Sequence, residues 1–116
     1  MSEVVSVVIP TYNAVKYIER TLDSILQQTY RDLEILVVDD CSTDGTREVI
    51  KAYQDQNPEI LIHMIELEEN QGPAAARNEG IRQASGRYLA FLDADDIWEP
   101  EKTYEQLIFM KRYQAA

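Results

Sequence analysis

The chain has 116 residues, 45% of them apolar, with four glycines and four prolines, so one domain with a real core is expected and a disordered or collagen-like chain is excluded. A formal net charge of −10 argues against a nucleic-acid binder, which needs a basic face toward phosphates, and against docking on an anionic membrane surface. The single cysteine, Cys41, excludes an internal disulfide, and no apolar run reaches the roughly 18 residues of a bilayer span.

The elements follow one another in a regular alternation. Val4–Ile9 is a β-branched run ending at Pro10. Val15, Ile18, Leu22, Ile25 and Leu26 then recur at helical spacing. Leu33–Val38 is a second apolar run, closed by Asp39-Asp40. Ser42, Thr43 and Asp44 are capping residues before a helix that carries Val49, Ile50 and Tyr53. Ile60–Leu67 is a third strand candidate. Gly72-Pro73 opens a third helix, with proline at a tolerated first-turn position, and Gly86 ends it. Tyr88–Leu92 is a fourth strand, and Glu99-Pro100 starts a last helix.

Strand–helix–strand units of this length give parallel pairing with right-handed crossovers. The expected architecture is an α/β three-layer sandwich with a mainly parallel sheet in the order 3-2-1-4, half of a doubly wound, Rossmann-like sheet.

The polar residues fall at strand ends. Thr11, Tyr12 and Asn13 follow the first strand, Asp39 and Asp40 the second, Asn70 and Gly72 the third, and Asp93, Asp95 and Asp96 the fourth. All four groups therefore lie at the carboxyl edge of one sheet, where open α/β sheets bind ligands. Asp93-Ala94-Asp95-Asp96 crowds three carboxylates into four residues. Such a group can be a turn or a helix cap, but directly after an apolar strand and beside a second acid pair it reads as a metal site. Crowded carboxylates raise one another's pKa, and a divalent cation removes that penalty. Mg²⁺ or Mn²⁺ fits, because both take oxygen ligands and bridge carboxylates to a diphosphate. Such a cation also lets an acidic protein bind an anionic ligand.

Asp39-Asp40 reads as a second metal site, a hydrogen-bond acceptor for a base, or a helix cap. Asp40, past the end of its strand, is expected to touch ligand more than core. Tyr12 can stack on a nucleobase or pack against the sheet edge. Arg77 can approach a phosphate, hold the acid cluster, or form a surface ion pair. His63, mid-strand, reads as structural, and Trp98 and Cys41 as packing residues. The remaining acidic excess reads as solvated helix faces.

The segments VSVVIPTYN (Val5–Asn13), VVDDCSTDGT (Val37–Thr46), NQGPAAARN (Asn70–Asn78) and FLDADD (Phe91–Asp96), with TLDSILQQTY (Thr21–Tyr30), resemble the family-2 glycosyltransferases of GT-A fold. The resemblance covers almost the whole chain. It implies that Pro10 and Tyr12 line a nucleobase pocket, with Thr11 and Asn13 shaping the loop. It implies that Asp40 accepts a hydrogen bond from the base, expected to be uracil, with Asp39 beside it, and that Gly72 lets backbone pass close to the base. Arg77 and Asn78 would brace the site. Asp93 and Ala94 would lie at the donor, Asp93 near the ribose and the metal, and Asp95 would be the direct ligand to Mn²⁺ or Mg²⁺. The position of Cys41 is often glycine in the family, which bears on the loop geometry there.

The family's acceptor site and general base come from a later half, so none is assigned among residues 1–116; the base is expected beyond Ala116. The resemblance implies metal-dependent transfer of a sugar from a nucleotide-diphosphate sugar, expected to be a UDP-sugar, to an acceptor hydroxyl with inversion. The acceptor would be a saccharide or a lipid-linked saccharide. The chain by itself would bind donor without transferring sugar and would self-associate through bare apolar surface. A cytoplasmic location, at the membrane's cytoplasmic face for a longer protein, is expected from the reducing-compartment cysteine and from an N-terminus without a basic signal region.

Rival folds place their acids differently. A receiver domain carries its acid pair after strand 1 and a lysine at a late strand end, whereas Lys16, Lys51, Lys102 and Lys111 all fall in helical stretches. A dehalogenase-type phosphatase carries Asp-x-Asp after its first strand. A dinucleotide-binding oxidoreductase needs a glycine fingerprint after strand 1, and this chain has none there.

Overall fold

The computed structural model describes residues 4–27 and 32–94. Asp95, Asp96 and the last expected helix lie outside the described residues. Four strands, β1 (Val5–Thr11), β2 (Leu33–Asp39), β3 (Ile62–Glu66) and β4 (Tyr88–Phe91), form one parallel sheet in the order β3-β2-β1-β4. Helices α1 (Ile18–Leu26), α2 (Thr46–Gln56) and α3 (Pro73–Gln83) connect them. The order agrees with the sequence expectation, and the reason is compositional. β1 is buried at every position and β2 at all but its first, so the two nearly continuous apolar runs take the central places. β3 is buried only at Ile62, is exposed at His63 and Glu66, and lies at an edge.

The register sets the level of the carboxyl edge. Thr11 pairs with Asp39, and Asp39 with Glu66. β1 runs two residues beyond the expected Ile9, through Pro10 and Thr11. Proline is tolerated here because β4 pairs with β1 only as far as Val8 and Phe91, with the Leu92 N–H reaching the Val8 carbonyl at 3.2 Å. The N–H that Pro10 lacks would point to that side, where β4 has ended. On the other side pairing continues, with the Asp40 N–H on the Thr11 carbonyl at 2.8 Å.

Side chains alternate between two faces of the sheet. Helix α3 covers the face that presents Val8 and Val38, and it does so at Gly80, where an added Cβ would overlap the Val8 side chain. Helices α1 and α2 cover the other face with Ile18, Leu22 and Ile25 and with Ile50 and Tyr53. Each such aliphatic side chain contributes about 1.5–3 kcal/mol by leaving water. The Tyr53 hydroxyl donates to Asp23 of α1 at 2.6 Å, which ties the two helices together. Burial and the Asp23 carboxylate both hold the Tyr53 phenol protonated, its pKa pushed well up.

One charged residue is buried at the amino edge of the sheet, where an apolar strand was expected. Glu34 is 3% exposed. Its carboxylate accepts the Ser6 hydroxyl at 2.5 Å, the Ser85 hydroxyl at 2.8 Å and the Ser85 N–H at 3.1 Å, and His63 lies 3.4 Å away. Burial would raise its pKa; the bonds from Ser6 and Ser85 and the nearby His63 more than reverse that and hold it below the usual carboxylate value. Ser6 in turn accepts the Gly86 N–H at 2.8 Å. This cluster fastens the chain entering β4 to the bottom of β1 and β2. His63, which the sequence reads as structural, lies on β3 beside Glu34 and away from the carboxyl edge.

Candidate functional site

At the carboxyl edge, the β1–α1 and β2–α2 loops are bound to each other. The Asn13 N–H donates to the Ser42 hydroxyl at 2.9 Å, and the Asn13 amide oxygen accepts the Thr43 and Asp44 N–H groups at 2.8 and 3.3 Å. The Ala14 N–H donates to the Thr46 hydroxyl at 2.9 Å. Asn13 and Cys41 both take left-handed backbone, with φ of 49° and 65°. Asparagine tolerates that region through its local hydrogen bonds, whereas cysteine bears a steric penalty there. The Asp44 carboxylate caps Thr46, and these bonds hold its pKa down against burial.

Asp39 is 0% exposed and its carboxylate is committed. It accepts the Ser42 N–H at 3.0 Å, the Ser42 hydroxyl at 2.6 Å and Arg47 Nε. Arg47 also donates to the Leu67 carbonyl at 2.9 Å and lies 3.4 Å from Glu66. Asp39 keeps Arg47 firmly charged and holds the loop from behind.

Asp40 does something the sequence does not foresee. It is 3% exposed, and its two carboxylate oxygens accept the Gln71 and Gly72 N–H groups at 2.7 and 2.8 Å. Asp40 was expected to touch ligand more than core; in the fold its buried carboxylate fixes the loop before α3. Gly72 has φ of 94°, and a Cβ there would meet nothing, so backbone conformation is what its glycine provides.

Around Asp40 opens a cavity of about 300 Å³ lined by Pro10, Thr11, Tyr12, Asp40, Asn70, Pro73 and Ala76. That volume is at the small end of the range for ligand pockets. Its walls are mostly apolar, with Asp40 and Asn70 as polar groups. Tyr12 is half exposed and offers a ring face. Pro10, Thr11, Tyr12 and Asp40 are thus brought together. Pro73 and Ala76 were not singled out from the sequence; their three-residue spacing on α3 puts both on one helix face, which is the signal that could have found them.

Asp93 leaves the sheet at the same level. It lies two residues beyond Phe91, as Pro10 lies two beyond Val8, the register partner of Phe91. Leu92 and Ala94 are buried and Asp93 between them is exposed, so its carboxylate is available as a hard oxygen donor. Among the described residues no three metal-binding side chains come together; Asp95 lies outside them. Arg77 is half-buried and belongs to no ion pair among the described residues. No helix among the described residues is long and apolar enough to cross a membrane.

The sequence profile of Glycosyl transferase family 2 matches residues 6–116. The chain is similar to the Bacillus subtilis (strain 168) glycosyltransferase TuaG, provisionally named for teichuronic acid biosynthesis, with 48% identity over 97% of this chain and 44% of TuaG. Among solved structures it is similar to S. aureus TarS 1-349 in complex with UDP, at 35% identity and TM-score 0.80, covering 93% of this chain and 32% of that one. It is also similar to the mannosyltransferase PcManGT of Pyrobaculum calidifontis in complex with GDP-Man and Mn²⁺, at 37% identity and TM-score 0.83, covering 91% of this chain and 31% of that one. The chain thus spans less than half the length of TuaG and about a third of the two solved chains.

Proposed function

The chain belongs to glycosyl transferase family 2, and from that premise we propose that it is the donor-binding part of an enzyme that transfers a sugar from a UDP-sugar to an acceptor hydroxyl with the help of a divalent cation. The observation that carries this reading is the cavity at the carboxyl edge, with Tyr12 and Asp40 in its wall and Asp93 at the same level of the sheet. Tyr12 supplies a stacking face for the base. A carboxylate has about four lone-pair sites, and loop N–H groups occupy two in Asp40. The remaining capacity accepts an N–H from the base edge, which uracil offers. The β1–α1 and β2–α2 loops, bonded to each other through Asn13, hold this pocket open before ligand arrives, so binding orders little.

Asp93 and Asp95 are the residues that would hold Mn²⁺ or Mg²⁺ against the diphosphate. Once bound, the cation neutralises charge on the departing diphosphate. That a similar mannosyltransferase was solved with GDP-Man and Mn²⁺ supports this assignment. Removal of the acceptor proton falls to a base outside residues 1–116, so these residues alone bind donor without transferring sugar. Inversion of configuration belongs to the same proposal. Calorimetric titration of UDP with and without Mn²⁺ tests the binding claim. Radiolabelled transfer to a panel of saccharide acceptors tests the other, and acceptor-dependent transfer by residues 1–116 would overturn it.

A further inference from the structure

We infer that Thr21, in the middle of α1, is a positioning residue for Asp93 as a cation ligand: its hydroxyl fixes the carbonyl of the adjoining Ala94 from behind. This inference rests on the reading of Asp93 as a residue that would hold the cation. Thr21 is 0% exposed. Its Oγ1 lies 2.6 Å from the Ala94 carbonyl oxygen and 3.0 Å from the carbonyl of Tyr17, one helical turn back. A hydroxyl has one proton to give, and the shorter contact takes it. Back-bonding to the preceding turn is the ordinary behaviour of a helical threonine. Here the donor reaches instead across 73 residues of sequence.

Two bonds flank Asp93. The Leu92 N–H is held by the Val8 carbonyl at 3.2 Å, and the Ala94 carbonyl by Thr21. Leu92 and Ala94 turn inward, 6% and 8% exposed, so the residue between them is forced outward. One anchor comes from the sheet and the other from a helix packed against it. The backbone that carries Asp93 is thereby fixed by the core before any cation is present. Partners that orient metal ligands typically carry about 10–100-fold in metal affinity. One bond acting through the backbone belongs at the lower end.

The test uses the whole chain and compares wild type, Thr21→Val and Thr21→Ser. Val keeps the shape and removes the donor; Ser keeps the donor. UDP is titrated without metal, and Mn²⁺ is titrated at saturating UDP and followed by electron paramagnetic resonance. The expected result is Mn²⁺ affinity about 10-fold weaker in Thr21→Val, near wild type in Thr21→Ser, and metal-free UDP binding equal in all three. Unchanged Mn²⁺ affinity in Thr21→Val overturns the inference. So does an equal loss of metal-free and metal-dependent binding, which a merely structural residue would produce. If Thr21→Val does not fold, Thr21→Cys, a weaker donor, takes its place, and wild-type Mn²⁺ affinity in that variant overturns the inference. Failure of the wild type to bind UDP in Mn²⁺ is a separate result that removes the functional reading itself.

Discussion

The Asp40 carboxylate accepts the Gly72 N–H at 2.8 Å, joining the end of β2 to the start of α3 32 residues later. The same carboxylate accepts Gln71 and lines the cavity. One side chain thus both shapes the pocket and faces what enters it. Removing it abolishes two charge-assisted, part-buried bonds, at about 1.5–3 kcal/mol each at most. Asp40→Ala should therefore lower stability to denaturant by a few kcal/mol and weaken UDP binding together. A variant as stable as wild type would show that the loop does not depend on this carboxylate.

Cys41 holds left-handed backbone at φ 65° with only a long Sγ contact, 3.6 Å, to the Glu68 carbonyl. For a residue with a Cβ that region costs roughly 1–2 kcal/mol. Cys41→Gly removes the penalty and adds about 0.5–1 kcal/mol of unfolded-state entropy. The denaturation midpoints should rank Gly at or above Cys, and Cys above Val, whose β-branch is worst there. Cys41→Val at or above wild type would contradict the conformation.

Glu34 carries a pH signature. Its pKa in the folded chain lies below its ordinary value of 4.5, so its contribution to stability is fully present above that value. The contribution is lost as pH falls through the folded pKa. Glu34→Gln should lower stability at pH 7 by about 1–3 kcal/mol, because it loses charge-assisted bonds in a buried place. It should also flatten the acid limb of the stability profile below pH ~4.5. Parallel acid limbs in the two proteins would rule this out.

Gly80 sets how closely α3 lies on the sheet. A Cβ at this position overlaps Val8 and crowds Val38. Gly80→Ala should cost about 1–3 kcal/mol as the helix is pushed out, despite the higher helix propensity of alanine. A gain in melting temperature would show that the contact is loose.

The strand order was legible because β1 and β2 are nearly continuous apolar runs, and burial on both faces dictates a central place. Pro10 misled about the end of β1, since its missing N–H matters only where a neighbour strand asks for it. The pocket was legible in outline, because Tyr12 and Asp40 follow strand ends. Their division of labour was not. Asp39 and Asp40 are adjacent and chemically identical, and only three-dimensional placement turns one toward Arg47 and Ser42 and the other toward Gln71 and Gly72. Glu34 gave no signal either: a single acid in an apolar strand looks like an exposed position until Ser6 and Ser85, distant in sequence, close around it.

Calorimetric titration of UDP into the chain, with Mn²⁺ and with chelator, on wild type and on Asp93→Ala and Asp95→Ala, tests the donor-binding reading most directly. Binding in Mn²⁺ that weakens by about tenfold or more on chelation or in either variant, with both variants folded as wild type, is the expected result. Equal affinity with and without metal, or in the Asp95→Ala variant, would contradict it.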